Sequence, residues 1–456
     1  MLPVGAQSSL TGGATPRGDV VISTRALNAI GAVKKDGATG GTVRADAGVP
    51  LSALQRALTP SGYYYPPVPT YDGAFLGGTI STNAAGAATF KYGSARRWVE
   101  RLTVVLADGA ILDLKRGDVT ASPDGSLELE PPGAAPIRIP VPGYTMPDVA
   151  KLSAGYYARP GMDLVDLFVG SEGTLGFIVD ATVRVIPRPR ACAVLVRCTS
   201  DVQAVALTAA LRNDAVASWR GEGPLDVSAV EFMDHRALAV VPDDAFACAG
   251  VKRPDAPSVM LLVQIEVAAD ADAALERLQQ VLDACGVDAD PHVAMPGDLD
   301  GAARFFELRE SVPASVNAVV AAAKLTHPGV EKTAGDLVVP FDRLGESLAL
   351  YRTTFERAAL PYAIWGHVSD GNLHPNVVPR SWDDVERGRE AILEMARAVM
   401  AMGGAPLAEH GVGRSALKQR LLRALYGDRG IDEMRAVKRA LDPEWKFSPG
   451  VLFPKD

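Results

Sequence analysis

Two histidines, His367 and His374, flank an Asp-Gly pair in Gly366-His367-Val368-Ser369-Asp370-Gly371-Asn372-Leu373-His374-Pro375-Asn376. Asp-Gly between two apolar runs is a strong hairpin signal. With Asp370 and Gly371 as the turn, His367 faces His374 across the ladder. Directly opposed residues on one face have Cβ atoms ~5 Å apart, about right for two imidazoles to share one metal ion. Asn376 falls further along the same face. A solvated hairpin face is the ordinary reading of one histidine; two opposed ones in a chain with only six favour ligation. A second segment, Ala408-Glu409-His410-Gly411-Val412-Gly413-Arg414, adds a carboxylate and a third imidazole on a glycine-rich loop. Such a set suits Zn²⁺ first, with Mn²⁺ or Fe²⁺ as alternatives, and leaves positions open for substrate oxygens.

Three glycine-rich segments supply a different chemistry. In Pro3-Val4-Gly5-Ala6-Gln7-Ser8-Ser9-Leu10-Thr11-Gly12-Gly13 a turn of small residues can aim several backbone N–H groups in one direction, a nest for pyrophosphate oxygens. In Gly77-Gly78-Thr79-Ile80-Ser81-Thr82-Asn83-Ala84-Ala85-Gly86 small residues permit close backbone approach, and Thr82 and Asn83 add side-chain hydrogen bonds. The third, Gly170-Ser171-Glu172-Gly173-Thr174-Leu175-Gly176-Phe177-Ile178, runs straight into a strand. No GxGxxG between strand and helix is present, so this is not the dinucleotide fingerprint. Any one of these segments alone is more often a structural turn.

The elements that must position these residues fall into three stretches. Residues 1–188 read as short β-branched strands between glycine-rich turns, with a helix at Leu51 to Leu58 behind Pro50 and a proline- and glycine-rich flap from Val119 to Pro147. Residues 189–400 alternate buried strands with long helical patterns, the mark of an α+β domain on an antiparallel sheet. Residues 401–456 form a helical segment carrying the Glu-His-Gly loop. The 456 residues carry a net charge of −8, which gives no reason to expect nucleic acid as a partner. No apolar run approaches the ~18 residues of a membrane helix. The start lacks the basic and apolar regions of a signal peptide. Cys192, Cys198, Cys248 and Cys285 form no CxxC pair, which fits a reducing compartment. The expected location is therefore the cytoplasm, with attachment to the inner face of the membrane left open.

The order and lettering of PVGAQSSLTGG, GGTISTNAAG with Lys91-Tyr92-Gly93, and LFVGSEGTLGFIV resemble the FAD-linked oxidase family, which has a vanillyl-alcohol oxidase-like FAD-binding domain. The resemblance is closest to its branch of D-lactate, glycolate and D-2-hydroxyglutarate dehydrogenases. It implies an α+β fold with a two-lobed FAD-binding domain of the vanillyl-alcohol oxidase type, an α+β domain with an antiparallel sheet, and a helical C-terminal segment. FAD would be held by Pro3, Val4, Gly5, Ala6, Gln7, Ser8, Ser9, Gly12, Gly77, Gly78, Thr79, Thr82, Asn83, Gly86, Tyr92, Gly93, Glu172, Gly173, Gly176, Ile178 and Asn376. All six histidines lie at or beyond His235, which argues for non-covalent FAD. The resemblance makes His367, His374 and Glu409 the metal ligands and His410 the base that takes the hydroxyl proton. Arg309, in Phe305-Phe306-Glu307-Leu308-Arg309-Glu310, and Lys332 would bind the substrate carboxylate. The activity implied is oxidation of a small D-2-hydroxy acid to the 2-oxo acid, with electrons passed to oxygen, a quinone or a partner protein. A homodimer is left open.

Three departures from the family pattern stand out. Ser369 replaces the usual glycine of the hairpin. Ser448-Pro449-Gly450-Val451 stands where the family often has Asn-Pro-Gly-Lys. The family also carries about fifty residues or more ahead of its first glycine segment, roughly one small βαβ unit, so the expectation is that either the start site is misassigned or part of the cofactor lobe is missing. The alternatives are a truncated or subunit-like member without FAD, and a related flavoenzyme acting on another alcohol or alkyl substrate. His235, His292 and His327 show no partner pattern and are read as structural or exposed.

Overall fold

A computed structural model describes residues 1–37, 40–67, 69, 71–131, 135–267, 271–288 and 290–454. They form two compact units, one of residues 1–86, 92–188 and 407–456, the other of 87–91 and 189–406. Of residues 401–456, expected from the sequence as a separate helical segment, 407–456 lie with the first unit. Among the described residues no helix is long and apolar enough to cross a membrane.

The first unit is built on an antiparallel sheet in the order 34–36, 40–46, 177–187, 99–105, 111–115, with 63–64 pairing to 177–187. Phe177–Pro187 is central because alternate residues, Ala181, Val183 and Val185 among them, are buried while Arg184 points out. A separate pair, Leu2–Val4 with Val21–Ser23, is parallel and leads into the first glycine segment. The second glycine segment is helical over Leu76–Ser81, contrary to the expectation of a turn. Gly77 permits it: a Cβ there would lie 2.5 Å from that of Ala47, so packing against the strand end outweighs glycine's poor helix propensity. The helical stretch Ala416–Leu441 closes the unit and is broken at Gly427.

The second unit carries an antiparallel sheet in the order 292–294, 190–198, 259–267, 226–233, 362–367, 372–377, 333–334, with 337–338 also on 372–377. Val259–Val267 is buried at nearly every position, so it reads as a continuous apolar run rather than an alternating one. Helix Leu299–Thr326 packs Leu308, Val312 and Val316 against Leu195, Leu262, Met233 and Trp365, covering one sheet face. That face holds the histidines.

Candidate active site

In the second unit the hairpin turn is longer than the sequence suggests. Val368–Asp370 make one 3₁₀ turn and Gly371 closes it at φ 78°, so His367 pairs with Asn372 and His374 with Trp365. The expected direct opposition of His367 and His374 is therefore corrected by two residues. A slip of two leaves every side chain on its original face, because the strand period is two. The imidazoles remain diagonal neighbours, with ring centroids 5.5 Å apart and planes at 89°, and both are buried. Asn376 lies on the same face, its Nδ2 donating to the His374 carbonyl at 2.8 Å.

The residues around the pair were not foreseen. Glu231 sits directly across the ladder from His367, with Oε1 2.5 Å from His367 Nδ1. Its Oε2 accepts from Arg309 Nε at 2.6 Å, and Arg309 Nη1 reaches Glu310 at 3.1 Å. Arg309, expected at the substrate carboxylate, is thus a buried side chain reaching down from helix Leu299–Thr326 into the sheet face. Asp336 Oδ1 lies 3.6 Å from His374 Nδ1. A carboxylate within the apolar, fully buried part of strand DVSAVEFM is the signal that could have found Glu231, since a buried charge needs a partner. Lys332 is partly buried with Nζ 5.8 Å over the Trp365 ring, and burial lowers its pKa. Ser369 does more than replace a glycine: its Oγ accepts the Val230 N–H at 3.0 Å, and its carbonyl is held by Arg212.

In the first unit the glycine segments converge on the loop carrying His410. Gln7 adopts φ 55°, and among the described residues none accepts from the backbone N–H groups of Ala6, Gln7, Ser8 or Ser9. That run of donors fits an anionic pyrophosphate. Glu172, at φ 53°, accepts from Val412 N at 2.8 Å and from Gly413 N at 2.7 Å. The carboxylate expected near the cofactor is therefore committed to the Glu-His-Gly loop. Burial pushes its pKa up to about 7, against the two backbone donors that pull it down. Arg414 N donates to Thr11 O at 2.9 Å, and its guanidinium pairs with Asp19 at 2.8 Å. Asp19 is held at about 2, chiefly by that hydrogen bond. Gly413 must be glycine, since a Cβ would lie 2.3 Å from Thr11 O.

Glu409 Oε2 is 2.8 Å from the ammonium of Lys151, whose side chain is fully buried, and Glu409 Oε1 is 3.7 Å from His410 Nε2. Lys151 also escaped the sequence reading, being a lone lysine in a loop. Asn83 sits at φ 50° with Oδ1 accepting from Arg96 N and Nδ2 donating to Leu152 O. Thr79 and Thr82 bond back to their own helix, and Tyr92 O accepts from Trp98 Nε1. Ser448, the second departure, donates from Oγ to Gly173 O at 2.9 Å and from N to Met1 O at 2.8 Å. Of the other histidines, His292 and His327 are exposed and His235 is partly buried.

Known proteins of this pattern are similar over almost the full length. The chain is 28% identical over 460 residues to the glycolate oxidase subunit GlcD of Bacillus subtilis (strain 168), covering 100% of this chain and 84% of that protein. It is 28% identical over 466 residues to a D-2-hydroxyglutarate dehydrogenase of Xanthomonas citri pv. viticola, covering 99% and 84%. It is 26% identical over 457 residues to a D-lactate dehydrogenase of Anaerostipes hadrus, covering 99% and 83%. Among solved structures, an alkyldihydroxyacetonephosphate synthase aligns with TM-score 0.59 at 16% identity, covering 98% of this chain and 71% of that one, a likeness of fold. Residues 1–115 match the FAD binding domain, and residues 193–452 match the C-terminal domain of FAD linked oxidases. The chain belongs to the FAD-linked oxidase family.

Proposed function

We propose that this enzyme oxidises a small D-2-hydroxy carboxylate to the 2-oxo acid. The observation that carries the reading is the buried pair His367 and His374, flanked by Glu231 and Asp336, in a chain whose relatives are named for glycolate, D-2-hydroxyglutarate and D-lactate. Buried imidazoles beside carboxylates fit a divalent cation, and Asn372 Oδ1 and Asn376 Oδ1 are buried without a hydrogen-bond partner among the described residues. His367 and His374 would hold the ion, with Glu409 as the further ligand that the resemblance implies; Zn²⁺ suits them best. A bound ion would lower the pKa of a substrate hydroxyl. FAD, bound non-covalently, supplies the acceptor for the two electrons that leave with the Cα hydrogen.

The chain's own residues handle the proton and the anion. His410 takes the hydroxyl proton, its Nε2 lying 3.7 Å from the Glu409 carboxylate. Lys332, and Arg309 in addition to its bonds to Glu231 and Glu310, would bind the substrate carboxylate. The electron acceptor is oxygen, a quinone or a partner protein. The test is an anaerobic absorbance spectrum before and after D-lactate, glycolate or D-2-hydroxyglutarate. A flavin band bleached by one of them, and protected by prior chelation, is the expected result. A protein that shows no flavin band after incubation with FAD, or a band that none of the three bleaches, overturns the reading.

A further inference from the structure

Each glycine segment of the first unit carries a non-glycine residue with a left-handed backbone: Gln7 at φ 55°, Asn83 at φ 50° and Glu172 at φ 53°. Asparagine tolerates that region through its short polar side chain, whereas at Glu172 the backbone alone would favour glycine. What glutamate adds there is a carboxylate. Among the described residues, all of that carboxylate's hydrogen bonds go to the backbone of one distant loop. Oε1 accepts from Val412 N at 2.8 Å and Oε2 from Gly413 N at 2.7 Å. The Glu172 N–H in turn donates to Ser81 O at 2.7 Å, within the second glycine segment.

The loop so held has little stiffness of its own. Gly411 and Gly413 both take left-handed backbones, at φ 72° and φ 57°, and glycine leaves the chain its widest freedom. Gly411 directly follows His410, and a Cβ on it would stand 2.9 Å from Glu172 Oε1, so the carboxylate lies against the loop at that point. Thr11 adds a long bond of 3.5 Å from Oγ1 to His410 O, and Leu452 N donates to Gly413 O at 3.0 Å. We propose that Glu172 is a positioning residue whose carboxylate fixes the backbone of residues 411–413 and thereby aims the His410 imidazole, rather than a residue that holds the cofactor. The left-handed strain at 172 then has a reason: it sets a carboxylate where the turn by itself calls for glycine. The clamp stands on this geometry, and its purpose rests on the reading of His410 as the base.

The substitution Glu172→Gly separates this role from ordinary support of the fold, because it removes the carboxylate and gives the backbone the residue it favours. Its Tm is expected to stay close to that of the wild type. In full-length protein loaded with FAD, hydrogen exchange of peptides spanning 410–414 is expected to speed up about 10-fold or more. The Kd for FAD, read from quenching of flavin fluorescence, is expected to stay near the wild-type value. The limiting rate of anaerobic flavin reduction by the hydroxy acid is expected to fall about 10- to 100-fold, with the half-saturating concentration of acid little changed. Glu172→Gln keeps one acceptor and is expected to restore part of both the exchange protection and the rate.

Unchanged exchange over 410–414 in Glu172→Gly overturns the proposal. So does a limiting rate equal to that of the wild type, or an FAD affinity that falls in step with the rate. Should Glu172→Gly fail to fold, the same three readouts on Glu172→Gln decide. A wild type whose flavin is reduced by none of D-lactate, glycolate and D-2-hydroxyglutarate sinks the function proposed above. Exchange and FAD affinity still decide the clamp in that case, so the two failures are told apart.

Discussion

Glu172 shows how one carboxyl can serve two states of charge. Its two oxygens accept from Val412 and Gly413, yet burial raises its pKa to about 7. In the unfolded chain a glutamate titrates near ~4.3. The folded form therefore holds its proton over a window in which the unfolded form has lost it. That contribution to stability is full below the lower value and is lost as pH rises through about 7. Replacing it by Gln removes the titration, so the Tm of Glu172→Gln is expected to change less than that of the wild type as pH rises across this window. Parallel fluorimetry scans across pH would check it, and parallel slopes would contradict it. Ser369 supplies a second residue-level prediction. Removing the hydroxyl in Ser369→Ala leaves the buried Val230 N–H without its acceptor, at a cost of about 1–3 kcal/mol. Urea unfolding measures the loss, and the alternative is a water that takes the hydroxyl's place.

At the scale of elements, the hairpin depends on a backbone that only glycine allows. Gly371 has φ 78°, and a Cβ there would lie 2.2 Å from Val339 O. Gly371→Ala is expected to lose more than about 2 kcal/mol through left-handed strain and that clash. The turn would open and the two imidazoles separate, so a loss of Zn²⁺ binding should accompany the fall in Tm. The strands were legible where chemistry is local: Phe177–Pro187 and Val259–Val267 are β-branched runs bounded by turn residues. The histidine pair was legible too, although its register was not, because Asp-Gly signals a turn without fixing its length. Glu231, Lys151 and Asp336 were hidden for a different reason. Each is a single charge whose partner lies far away in sequence, as Lys151 and Glu409 do, and only the folded chain pairs them. Gly77 and Gly78 were read as turn residues since intrinsic propensity disfavours them in a helix, and packing on Ala47 decides otherwise.

For the whole molecule, the decisive fact is that the first unit takes in both ends of the chain. Lys438, almost fully buried, donates to Thr174 O and Phe447 O and pairs with Asp442 at 2.5 Å. Lys438→Met would leave Asp442 buried without its cation, a loss of about 3–5 kcal/mol. Thr174 lies in the third glycine segment, so this variant is expected to release FAD at a lower temperature than the wild type. Flavin fluorescence during a thermal ramp would show it; release at the wild-type temperature would mean the segment is held without Lys438. Arg414 and the Glu172 clamp tie residues 412–414 to the same unit. On a ribosome the chain appears in the opposite order to its completion. Residues 189–406 can collapse as soon as they emerge, while the first unit, its sheet complete by residue 187, still waits for residues 407–456 to clamp its glycine segments. Through that interval the first glycine segment and its unpaired backbone donors have no clamp, which makes the cofactor-binding unit the part most dependent on release of the finished chain and most exposed to premature termination.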